Sequence, residues 1–93
     1  MAMATSKLRD LVGSAPLKDA SQAAMAVVDS VQGCRNNGIK LLGLTAAFLL
    51  IVEESGLSVS DLLAYTRNCI NTAEGKRPEF KAVHRYITND VLK

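Results

Sequence analysis

His84 is the only histidine in the chain, and Cys34 and Cys69 are its only thiols. A thiolate nucleophile needs a base within hydrogen-bond reach, so a Cys/His pair is the first chemistry to weigh. Helical spacing puts both cysteines on apolar faces, and no Gly-rich oxyanion turn adjoins either. With no CxxC pair and no second histidine, the residues for a zinc centre or a secreted disulfide scaffold are missing. Both cysteines are expected to be reduced and mostly buried. Glu53 and Glu54 are adjacent, so they diverge on a helix, and a metal pair needs more converging ligands. P-loop, dinucleotide and metalloprotease signatures are absent. The expectation is a protein without enzymatic activity, cofactor or metal.

Binding offers more. In AEGKRPEF (Ala73 to Phe80), Lys76 and Arg77 precede a proline placed as the first residue of a helix. Helix amino ends disfavour cations, by about 0.3–1 kcal/mol each at exposed positions. Lys81 and Arg85 follow, four apart on one helical face. Lys76, Arg77, Lys81 and Arg85 thus form the candidate partner- or phosphate-binding segment. A plain reading competes: Glu74 and Glu79 neutralise the pair and leave a solvated turn. Nucleic acid is the alternative to a protein partner. Yet the net charge is only +2, and Tyr86 is the one aromatic expected to be exposed nearby, so single-strand stacking has little support. GLSVSDLL has the opening of a helix-turn-helix, but the glycine turn that should follow its capped helix does not arrive.

The elements that position these residues read as helices. At 93 residues, 48% apolar and 22% charged, the chain is expected to form one domain, residues 1–93. Residues 1–16 form a short helix (Ser6 to Val12) or a flexible arm, plus a linker ended by the breaker GSAP. Leu17, Ala20, Ala24, Val27, Val31 and Cys34 alternate spacings of three and four and mark one helical seam. Gly33 and RNNG provide a stop. The third helix, Ile39 to Ser55, is apolar on nearly every side and must be covered nearly all round. Three modest partner helices leave it short of cover, so a homodimer is expected. Gly43, Ala47 and Leu50 on this helix, and Ala20, Ala24 and Val27 on the seam, are the interface candidates. The run LLGLTAAFLLIV spans roughly 18 Å as a helix, short of a bilayer core of ~30 Å. It reads as a buried helix rather than a membrane span. The amino-terminal stretch lacks the apolar region of a signal peptide, and a cytoplasmic location is expected.

Gly56 closes the third helix. Ser58 fits an N-cap with Asp61 at N3, while Leu57 and Leu62 fit a hydrophobic staple. The fourth helix is expected to run through Glu74 to a stop at Gly75, and the last from Pro78 to about Leu92. Phe80, Val83, Ile87 and Val91 share its inner face. The fold class is all-α: a compact bundle of four main helices with short connections and a central apolar helix.

AEGKRPEFKAVHRYI, Ala73 to Ile87, resembles small helical proteins of unknown role encoded by tailed bacteriophages. The likeness lies in the C-terminal half and carries over no functional residue. It implies a small accessory or regulatory protein of the bacterial cytoplasm that binds a host or phage macromolecule, seldom by way of catalysis.

Overall fold

The structure is a computed structural model that describes residues 2–93, with side chains from position 7 onward. The chain is all-α apart from one small hairpin. Its helices are α1 (Ala2–Val12), α2 (Leu17–Ser30), α3 (Asn37–Ser55), α4 (Val59–Ile70) and α5 (Pro78–Tyr86), and a π-helical turn, Ile87–Val91, continues α5. Strands β1 (Asn71–Thr72) and β2 (Gly75–Lys76) pair antiparallel between α4 and α5, with Asn71 opposite Lys76.

Local chemistry sets most boundaries. The side chain of Asn36 accepts a hydrogen bond from the Ile39 amide at 2.9 Å, so RNNG caps the start of α3 as well as separating it from α2. Gly56 takes a left-handed conformation (φ 77°) and ends α3. Ser58 accepts from the Asp61 amide at 3.3 Å and opens α4, and Pro78 is the first residue of α5.

α4 departs from expectation. It stops at Ile70 instead of continuing through Glu74. Asn71 adopts extended backbone, and the Arg77 amide donates to the Ile70 carbonyl at 2.7 Å. Thr72 Oγ1 accepts from the Glu74 amide and donates to the Gly75 carbonyl, both at 3.2 Å. Polar residues that bond their own backbone favour a turn over another helical turn. Gly75, at φ 128°, takes a conformation closed to most side chains. The last helix likewise remains α-helical only to Tyr86 before widening into the π turn, where the Leu92 amide donates to the Ile87 carbonyl at 2.8 Å.

The core is small. Leu8, Val52, Val83 and Val91 are the buried apolar side chains among the described residues, and no large side chain is fully enclosed. Two polar residues are buried with them. Ser21 donates to the Lys18 carbonyl, and the Lys40 ammonium donates to the Val91 carbonyl.

α3 corrects the picture of a covered central helix. It packs along one stripe that includes Lys40 and Val52, while Leu42, Leu50 and Ile51 stand 74%, 66% and 69% exposed. α4 leaves α3 at a bend of 114°, so the following helix cannot run back along the apolar surface. Among the described residues, no other element of the single chain lies on that side.

Candidate functional site

β2 ends at Lys76, and α5 begins two residues later. This short separation brings Lys76 to the flank of α5, where Lys81 and Arg85 lie one helical turn apart. The three cations line a hollow of about 430 Å³ together with His84, Thr88 and Asn89. No carboxylate belongs to the lining. Like charges gathered without a counter-charge raise the local potential and attract an anion. Thr88 commits its hydroxyl hydrogen to the His84 carbonyl at 3.0 Å, so the neutral side-chain donors left on the wall are the Asn89 amide and the His84 imidazole.

Arg77 is placed elsewhere. Its guanidinium turns back to α4 and donates to the Asn68 carbonyl at 3.3 Å, while Nε is buried without a partner. Its backbone carbonyl accepts from the Phe80 amide at 2.9 Å in the first turn of α5. The two cations that crowd an unfavourable helix end in the sequence therefore separate in space. Lys76 goes to the hollow, and Arg77 reaches the carboxyl end of α4, where a positive charge is favourable. Of the four cations singled out in the sequence, the hollow gathers Lys76, Lys81 and Arg85.

Tyr86 is half-buried rather than fully exposed. Its hydroxyl donates to Asp29 Oδ1 at 2.5 Å, joining the end of α5 to α2. That hydrogen bond, with smaller contributions from burial and from the charges of Asp29 and Asp90, pushes its pKa up to about 12.

The thiols take no part in the hollow. Both are free and half-buried, so each is more open than the apolar periodicity predicts. Cys69 lines a separate apolar cleft of about 440 Å³ between α2, α4 and α5, whereas His84 lines the hollow. Ala20 and Ala24 border the cleft, but Val27 does not; Val28 takes that place, and Val27 is exposed. The α2 seam thus keeps Leu17, Ala20 and Ala24 but continues to Val28 instead of Val27, and the expected Val31 and Cys34 lie beyond the helix end at Ser30. Gly43, Ala47 and Leu50 are exposed on α3, and a Cβ added at Gly43 would meet nothing within 4 Å.

Among the described residues, no group of three or more His, Cys, Asp or Glu side chains converges, and no single helix is long and apolar enough to cross a membrane. The positions His84, Thr88 and Asn89 were missed from sequence as parts of the hollow. The signal for Asn89 was available, because it extends the Lys81–Arg85 spacing by another four residues. Comparison with protein-family models, with curated proteins and with solved structures finds no match to this chain.

Proposed function

We propose that this chain is a non-enzymatic binding protein that takes clustered carboxylates of a partner protein into the basic hollow. One observation carries the reading. Lys76 from the hairpin and Lys81 and Arg85 from α5 converge on a lining that holds no acid. Such an arrangement favours an anionic partner, and charge complementarity of this kind steers and orients association. The likeness of Ala73 to Ile87 to small phage proteins supports a host or phage protein as that partner, met in the bacterial cytoplasm.

Nucleic acid is the second reading, favoured by the Asn89 amide, since amide side chains commonly accompany cations on phosphate oxygens. Three cations make a small footprint beside the 6–10 phosphate contacts of strongly salt-dependent DNA binders. Tyr86 is a single half-buried ring whose hydroxyl is tied to Asp29, and one ring makes a poor stacking platform. The protein reading is therefore preferred.

Fluorescence anisotropy tests both. A labelled oligoglutamate peptide and labelled DNA and RNA, as duplexes and single strands, are titrated with wild type and with Lys81→Glu/Arg85→Glu. The expected result is peptide binding that weakens with salt and disappears in the variant. Tighter binding to an oligonucleotide, with a log–log salt slope of about −2.7 on duplex DNA or about −2.1 on single strands for three phosphate contacts, would favour the second reading. Absence of binding to every probe in low salt would leave the hollow a solvated surface and overturn both.

A further inference from the structure

α3 carries most of the chain's displaced apolar surface. Of the ten large apolar side chains that are more than a third exposed among the described residues, six lie on this helix. Ile39, Leu42, Ala46, Leu49 and Glu53 follow at spacings of three and four, with Leu50 beside them, so the outward face is a continuous stripe. Monomeric proteins keep exposed apolar patches far smaller than such a helix presents.

The size of the uncovered area says what kind of partner is missing. A monomeric protein of 10.0 kDa should expose about 5,200 Å², whereas this chain exposes 6732 Å², an excess of roughly 1,500 Å². The radius of gyration tells the same: 14.2 Å, against about 12.3 Å for a compact 93-residue domain. That excess belongs to the whole chain, and it is larger than the roughly 800 Å² per partner that a specific interface buries, so a partner on α3 finds area enough to form one. With so few apolar side chains buried, the chain also needs its cover whenever it is folded. A second copy is the partner always present at that moment.

Charge then selects the arrangement. α3 has no acidic residue in its first turn and no basic residue in its last, the reverse of what its dipole favours. It has instead exposed Glu53 and Glu54 at its carboxyl end and exposed Arg35 just before its Asn36 cap. Two α3 helices laid antiparallel bring each glutamate pair to the amino end and Arg35 of the other helix. Parallel pairing would gather four glutamates at one end.

We infer that two copies of the chain pair through the outward faces of their α3 helices, antiparallel about a two-fold axis at Ala46. Full overlap of Asn37–Ser55 with itself fixes that midpoint. Leu42 then opposes Leu50 of the second copy, and Leu50 opposes Leu42, as a two-fold interface requires. Ala46 opposes itself, and its small side chain lets the helices approach closely. With axes 8–10 Å apart and a Cα radius near 2.3 Å, the facing Cα atoms lie roughly 3.5–5.5 Å apart, within reach of a disulfide.

The test begins with the mass of the full chain by light scattering at tens of micromolar, where twice 10.0 kDa is expected. Ala46→Cys should then cross-link to its own counterpart under mild oxidation, beyond any product seen with wild type or with the exposed control Gln22→Cys. Leu42→Lys should weaken the dimer at least tenfold, and adding Leu50→Glu should restore it, because the two substituted positions meet across the axis. Recovery also answers the concern that the single variant merely fails to fold. A monomeric wild type that remains folded overturns the inference. So do a dimer without the Ala46→Cys cross-link, a failure of the second substitution to rescue, and a chain that stays dispersed only when phosphatidylcholine vesicles are supplied.

Discussion

The ammonium of Lys40, in the first turns of α3, donates a hydrogen bond to the carbonyl of Val91, 51 residues away in the π turn. Lys40 is 8% exposed and Val91 2%, so this bond lies in the interior. Asn37 adds a second tie, its side-chain amide donating to the Leu92 carbonyl at 3.3 Å. The carboxyl end of a helical segment carries partial negative charge, so a cation there is well placed. Together the two residues fasten the C-terminal segment to the start of α3, the helix that otherwise has the least cover.

Replacing Lys40 by Met keeps most of the apolar stem and removes the donor. The Val91 carbonyl is then buried without a partner, at a cost of about 1–3 kcal/mol. Urea unfolding of Lys40→Met should show a lower midpoint at unchanged slope, and the Leu92 amide should lose exchange protection. Unchanged stability would mean that removing a desolvated charge offsets the lost bond.

Arg77 and Arg85 carry the same charge but should behave differently. Arg77 braces the carboxyl end of α4 through Asn68, whereas Arg85 lines the hollow. Arg77→Ala is expected to destabilise the fold by about 1 kcal/mol and to leave oligoglutamate binding intact. Arg85→Ala should do the opposite, weakening binding with little change in melting temperature. Matching effects of the two variants on binding would place both guanidinium groups at the partner.

What the sequence made legible follows the range of the interactions. Ser58, Gly56 and Pro78 act on backbone within four residues, and the boundaries they imply are the ones observed. The spacing of Lys81 and Arg85 on one face is likewise local and predicts their common place in the hollow. The end of α4 was misjudged because Asn71 and Thr72 prefer their own side-chain bonds, and because the Ile70 carbonyl finds the Arg77 amide across the hairpin. Arg77 and Tyr86 could not be placed from periodicity, since their partners, Asn68 and Asp29, are chosen by how helices pack. The apolar character of α3 was legible. Which flank stays open was not, because that depends on the 114° bend into α4.

The Tyr86–Asp29 bond gives a pH signature. The tyrosine pKa is raised from 10.0 to about 12 in the folded protein, chiefly because its hydroxyl donates to the carboxylate. Folding therefore favours the protonated phenol. This stabilisation is fully present below pH 10 and is lost as pH rises through about 12. Thermal melts from pH 9 to 12 should fall more steeply for wild type than for Tyr86→Phe, which lacks the titrating group. Parallel curves for the two proteins would show that the bond does not persist in solution.

Gly43 separates two ways in which α3 could meet a second copy. Glycine inside a helix costs roughly 0.5–1 kcal/mol relative to alanine, through the extra freedom it gives the unfolded chain. In the single chain a Cβ at this position enters open space, so nothing in the fold opposes the substitution. With the two-fold axis at Ala46, Gly43 lies on the flank of the contact, level with Leu49 of the second copy, where a methyl group is accommodated. Gly43→Ala is then expected to raise stability by roughly 0.5–1 kcal/mol and to leave the dimer dissociation constant unchanged. Unfolding curves at two protein concentrations separate the quantities, since only the dimer term depends on concentration. A weaker dimer from a more helical chain would place the crossing over the Gly43–Ala47 strip, where backbones approach too closely for even one added methyl.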